Sequence, residues 1–246
     1  IRRPPRSTQG VSSAASDVYK RQVPGWGSLG LVSALPLGMR HNLSDVGALM
    51  RDRRSFAPEQ MTSRKVHPDI VEEILRAGTW AGNHGMTQPW RFTVFIGDGL
   101  EVLREGLPHW HALSAGAAVN PIKMEKLKHR LDACNCVIGL GRVHDPAGRI
   151  SEEDEAWAVA GAVQNMHLTC TAYGLGAKWT TPGFMGLPEV KQALLLPEQG
   201  RVMGLFYVGY PKGDWPSSHR WPLEFVTRWR HTSDEEADHH QLKPTL

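Results

Sequence analysis

Four short segments carry residue types that can do chemistry. Arg51-Asp52-Arg53-Arg54-Ser55 gathers three guanidinium groups and a hydroxyl. A guanidinium's planar fork grips phosphate bidentately, and a serine hydroxyl adds a donor; read locally, the run is equally a solvated charge cluster. Residues 81–92 (AGNHGMTQPWRF) combine glycines that let backbone approach a ligand, a proline that fixes the entry to a strand, and the flat surface of Trp90. The plainer reading is a turn followed by a core tryptophan. Residues 174–184 (GLGAKWTTPGF) have glycine spacing that invites a dinucleotide-binding reading. That motif must follow a strand and open a helix, whereas this run follows a helix, so a Rossmann assignment is rejected. Gly209-Tyr210-Pro211 is trailed by Arg220-Trp221-Pro222-Leu223, and Arg220 is either an anion contact or a surface arginine.

Other candidates are weaker. Cys134 and Cys136 would share one face of a strand, but no second Cys/His pair completes a tetrahedral metal site, so they read as small buried hydrophobes. The 12 histidines are scattered; His109, His111 and His129 read as surface or capping residues, and His239-His240 is a faint metal hint. No Ser/His/Asp arrangement emerges, and no metal site is expected.

These segments must be positioned by regular elements. A first helix is expected over 44–51, capped by Asn42 or Ser44. A second runs near 68–80, with Pro68 in its first turn, early acids, and Ile70, Ile74, Leu75 and Ala77 on its apolar face. Strands are expected at 91–96, 134–140 and 202–208. Residues 100–131 read as mainly helical, broken near Asn120-Pro121, and a further helix starts at Pro188. The longest helix, 152–173, is capped by Ser151 and apolar on almost every side from Ala156 to Val163, so it belongs in a core or at a subunit interface. The sum is an α+β domain without internal repeat.

Composition bounds the function. A chain of 246 residues, 41% hydrophobic and 22% charged, is globular in character. Three cysteines make no disulfide framework, which favours a reducing compartment, the cytoplasm. No stretch of 18 apolar residues suggests a membrane span. The formal charge of +3 is unevenly spread: residues 1–38 carry +4, residues 39–233 carry +2, and 234–246 carry −3. A near-neutral middle with no basic stripe argues against nucleic acid as a partner. Residues 1–38 read as a disordered or non-native leader, of which 1–22 resemble translated sequencing-adapter read-through, with Met39 as the expected natural start. Residues 234–246 read as an acidic flexible tail.

The order and spacing of RRS, QPW plus strand, the long helix running into GLGAKW, and VGYP with a trailing RWPL resemble the nitroreductase family of FMN-dependent flavoproteins, in its compact YdjA-like branch. The resemblance spans roughly 42–229. It implies a central, mostly antiparallel sheet flanked by helices, in a domain-swapped homodimer with FMN sites at the interface. It also implies ping-pong hydride transfer through flavin N5, from NAD(P)H to a nitroaromatic, quinone or similar acceptor, with no catalytic side chain. Carried over by position, Arg53, Arg54 and Ser55 match the flavin-binding RRS, and one of the two arginines would stabilise anionic reduced flavin. His84, with Asn83 beside it, matches a flavin contact in a loop supplied by the other subunit. Trp179, Thr180 and Thr181 match the segment along the isoalloxazine ring, and Arg220 a phosphate contact. Two positions depart from the pattern. Trp80 stands where the branch has an arginine, and Thr181-Pro182 replaces a Gly-Gly pair, leaving the N–H of Thr181 or Gly183 as the donor toward N5. The rival expectation is a flavin-binding or sequestering protein without nicotinamide-driven turnover.

Overall fold

Four strands form the scaffold: β1 (Trp90–Ile96), β2 (Cys136–Val143), β3 (Gly176–Thr180) and β4 (Gly200–Gly209). They pair antiparallel throughout, in the order β1-β2-β4-β3. The computed structural model describes residues 41–230; the expected leader and acidic tail lie outside the described residues. Among the described residues six α-helices accompany the sheet: α1 (Leu43–Asp52), α2 (Pro68–Thr79), α3 (Glu101–Ala115), α4 (Pro121–Lys128), α5 (Glu152–Ala172) and α6 (Pro188–Ala193). Apart from β3, the elements follow the hydrophobic periodicity to within a few residues.

Both faces of the sheet are covered, which is why β2 is apolar at nearly every position. Cys136, Ile138 and Leu140 point to one face, where Val71 and Ile74 of α2 and Val163, Met166 and Cys170 of α5 meet them. Val137 points to the other, toward Leu103, Leu107 and Trp110 of α3, Leu127 of α4 and Val190 of α6. The cysteine pair is therefore split. Cys134 precedes β2 and packs in the second layer while Cys136 packs in the first, so they do not share a face as the strand period implied. On the second face the glycines of β2 make room for a crossing segment: a Cβ on Gly139 would lie 2.7 Å from Leu194, and one on Gly141 2.4 Å from Leu196.

Pairing between β2 and β4 slips by one residue at Leu140/Gly141, where Leu140 faces Gly204 but Gly141 faces Val202. The extra residue, Met203, turns its carbonyl to accept the Trp179 indole N–H at 3.0 Å. A bulge of this kind re-aims one side chain without ending the sheet. Gly204 permits it: its φ is +134°, and a Cβ there would stand 2.5 Å from both the Thr180 carbonyl oxygen and the Trp179 Nε1. β3 escapes the sequence reading because its alternation is masked by Gly176, Ala177 and Lys178; pairing with β4 defines it. Gly204→Ala should destabilise the fold by roughly 2–4 kcal/mol, from strain plus overpacking. Gly99→Ala, at a site with open space around it, should be near neutral; urea unfolding of the two variants checks the contrast.

Candidate functional site

The arginine run leaves the end of α1 and is drawn immediately to the edge of the sheet. Ser55 bridges Ala177 of β3 in parallel, and the Phe56 N–H donates to the Ala177 carbonyl at 3.0 Å. Phe56 is buried, and its ring lies where a Cβ on Gly176 would fall, at 2.7 Å. The chain after β4 returns over the same segment. Thr62 N–H donates to the Tyr210 carbonyl and Lys212 N–H to the Gln60 carbonyl. Trp215 stands edge-on to Phe56 at 4.8 Å and donates its indole N–H to the Asp52 carbonyl. This return brings Arg220 beside Arg53.

Arg53, Arg54 and Arg220 thus form one cationic cluster, and among the described residues no carboxylate lies within ion-pair distance of any of them. Burial, and then the charges of Arg220 and Arg54, hold Arg53 below its ordinary value. The three arginines are not equivalent. Arg54 is consumed by backbone carbonyls, those of Pro216 at 2.7 Å, Arg53 at 2.9 Å and Arg51; it pins the returning loop. Arg53 meets the Ser55 hydroxyl at 3.4 Å, while Arg220 bonds only its own loop, at Ser218 and His219. Two residues beyond Ala177 in β3, Trp179 and Thr180 are half-buried, and Thr181 and Gly183 flank Pro182 at the strand's end. Arg53, Arg54, Ser55, Arg220 and Trp179–Thr181 are thereby gathered at one edge.

Asn83 and His84 lie elsewhere. Their loop is strained, with positive φ at Gly85, Met86 (54°) and Gln88 (46°), a feature that concentrates at functional segments. Asn83 closes it by accepting from Gln88 N–H at 3.0 Å and donating to the Ala81 carbonyl at 3.4 Å. His84 Nδ1 meets the Asp154 carboxylate at 3.3 Å in the first turn of α5, and Ile150 packs where Gly85 lacks a side chain. A buried network anchors that turn. Arg142 contacts Glu155 at 3.3 Å and Glu152 at 2.5 Å, His144 contacts Glu155 at 2.7 Å, and the Asp145 N–H donates to Glu155 at 2.9 Å.

His167 is the residue the sequence reading missed. It is 6% exposed on α5, stands edge-on to Phe206 at 4.8 Å, and its Nδ1 is buried without a partner. Its signal was a lone imidazole at helical spacing between the buried Val163 and Cys170. Burial, and next the charge of Arg53, push it down to about 4.

The fold is thus an antiparallel sheet covered on both faces, with an arginine cluster at one edge. The chain matches the sequence model of the nitroreductase family over residues 50–210, and it belongs to that family. It is 27% identical over 176 residues to the Escherichia coli K12 protein named "Putative NAD(P)H nitroreductase YdjA", covering 68% of this chain and 89% of that one. A nitroreductase-like family protein from Bacillus cereus superposes with a TM-score of 0.63 at 22% identity, over 76% of this chain and 96% of the other. A Desulfovibrio desulfuricans "putative nitroreductase in complex with FMN" superposes at 0.58 and 25% identity, over 76% and 97%.

The state of His167 sets a pH dependence. Native His167 stays neutral, whereas the unfolded chain takes up a proton below about 6.5. Stability present above pH 6.5 is therefore lost as pH falls toward 4, by on the order of 3 kcal/mol. Urea titrations of the apoprotein at pH 7 and 4.5 should show this loss, and His167→Phe should reduce it.

Proposed function

We propose that the protein is an FMN-dependent NAD(P)H oxidoreductase that reduces a nitroaromatic, quinone or similar acceptor. The observation that carries this reading is the cluster of Arg53, Arg54 and Arg220, three positive charges with no carboxylate of the described residues within ion-pair distance, at the edge where β3 ends in Trp179 and Thr180. A dianionic phosphate fits that cluster, because it relieves the mutual repulsion and satisfies free guanidinium donors. Arg53 and Arg220 would hold the phosphate with Ser55, while Arg54 keeps the loop carrying Arg220 in place. Trp179, fixed by the Met203 carbonyl, would flank the ring system, and an N–H of Thr181 or Gly183 would reach N5. Bound FMN supplies the two-electron chemistry, accepting hydride from NAD(P)H and delivering it to the acceptor. The protein binds, orients and biases charge; no side chain acts as nucleophile. Among the described residues no cluster of ligands suited to a metal ion occurs.

The reading includes a homodimer. Asp154, which holds His84, and His167, whose imidazole the charge of Arg53 influences, are 13 residues apart on α5, about 20 Å at ~1.5 Å per residue. Within one chain the His84 loop and the arginine cluster therefore belong to two half-sites, which a second copy would complete. The outer side of α5 supports this: exposed Trp157 and Gln164 alternate with half-buried Ala160, Leu168 and Thr171 at every third or fourth position, with no charge. Trp157 is 62% exposed and Trp80 82%, and α1 buries no residue. No helix of the described residues is long and apolar enough to cross a membrane. We place the protein in the cytoplasm, in keeping with its three buried, free cysteines.

Purified protein should be yellow, and NADH or NADPH should bleach it. A colourless protein that FMN cannot reconstitute would overturn the reading; yellow protein that neither nicotinamide bleaches would convert it to flavin sequestration. Arg53→Ala should weaken FMN binding by roughly 1.5–3 kcal/mol in a fluorescence titration. Light scattering should report a dimer.

A further inference from the structure

We propose that Asp154 is a positioning residue: its carboxylate holds the ring of His84 so that Nε2 is left for the flavin bound with a second copy. The inference rests on the FMN and homodimer reading above and deepens it, by naming the group that acts through His84. The His84 side chain is 67% exposed, and its Nδ1 lies 3.3 Å from the Asp154 carboxylate. Nε2, on the far side of the ring, has no protein partner among the described residues. An exposed ion pair of this kind is worth little to stability. The backbone beneath it is what gives this one a use. Positive φ at Gly85, Met86 and Gln88 strains the loop, and both flanks are tied down. Buried Ala81 meets Gly161 of α5 at the entry, and Arg91 donates to the Gln88 carbonyl at 3.1 Å at the exit. Asp154 is itself fixed, because its N–H donates to the Ser151 hydroxyl at 3.0 Å and the adjoining Glu155 is buried against Arg142. A carboxylate at Nδ1 assigns the proton to that nitrogen and leaves Nε2 as one outward group.

The sheet shows where that group can act. The His84 loop leads into β1 at one edge, while Ser55 bridges β3 at the other. Three strand spacings, about 14 Å, separate the two edges. The strands alternate in direction, so β1 begins at the same end of the sheet at which β3 finishes in Thr180. His84 thus stands level with the Trp179–Thr180 end of β3 but across the sheet from the arginines of its own chain. A second copy presenting its β3 edge would receive Nε2. Neutral, that nitrogen accepts a hydrogen bond; protonated, it donates one. A ribityl hydroxyl answers either form.

The experiment is FMN titration of the apoprotein by flavin fluorescence, run as a double-mutant cycle, with circular dichroism melting to confirm folding. His84→Ala should weaken FMN binding about five- to tenfold, and Asp154→Ala about threefold. In the His84→Ala background Asp154→Ala should cost nothing further, because the carboxylate acts only through the ring. Ser151 still caps α5 in that variant, and Glu152, Glu153 and Glu155 keep its first turn acidic, so the helix should form. Asp154→Asn, whose amide oxygen accepts from Nδ1–H, should recover most of the affinity. A loss of equal size in both backgrounds, as a purely structural role would give, overturns the proposal. So does an Asp154→Asn protein as weak as Asp154→Ala, or unchanged FMN affinity in a folded His84→Ala protein. Failure of the wild-type protein itself to bind FMN would instead sink the underlying reading.

Discussion

Three guanidinium groups that repel one another, with no carboxylate of the described residues within ion-pair distance, are the feature on which the arrangement of this domain turns. Like charges at a half-buried edge cost stability unless backbone holds them or an anion joins them. Here backbone does part of the work. Arg54 is tied to three carbonyls, Phe56 is locked against Gly176, and Trp215 clamps the returning chain onto both. What remains without a carboxylate among the described residues is Arg53 with Arg220, the pair to which the proposed function assigns a phosphate.

The sheet makes that edge possible. Because β2 and β4 are covered on both faces, they form a rigid wall, and β3 hangs from β4 as the outer strand that receives the arginine segment. The bulge beside Gly204 turns the Met203 carbonyl to hold the Trp179 indole N–H, while the ring packs against the core. Loops on such a scaffold can carry binding groups without being rigid themselves. The strained turn at Met86 and Gln88 is held in the same manner, by Asp154 and by the buried Arg142–Glu155 network beneath it.

α5 connects the two halves. Its N-terminal turn holds His84, and a later turn buries His167 edge-on to Phe206. Residues that are apolar all round suit a helix that a core covers on one side and a second copy on the other. The small residues of the stretch from Ala156 to Val163 leave room for the segment just past α2, where a Cβ on Gly161 would lie 3.7 Å from Ala81.

How much of this was legible beforehand depends on the range of the interactions. The helices from Pro68 and Glu152, and the strands around Phe92, Ile138 and Phe206, follow from hydrophobic period and capping, which act over a few residues. The RRS run, the QPW strand and GLGAKW, taken in order, were enough to indicate the family and to nominate Arg53, Arg54, Ser55 and Arg220. Tertiary structure alone decided the rest. It made a strand of Gly176–Thr180, whose side chains show no alternation and whose definition comes from β4. It split Cys134 from Cys136, because the strand begins two residues later than its apolar run. It distinguished the braced Arg54 from the freer Arg53, and it buried His167 edge-on to Phe206. Sequence patterns report the forces between near neighbours in the chain, whereas charge clusters and unpaired buried nitrogens arise from residues more than a hundred positions apart.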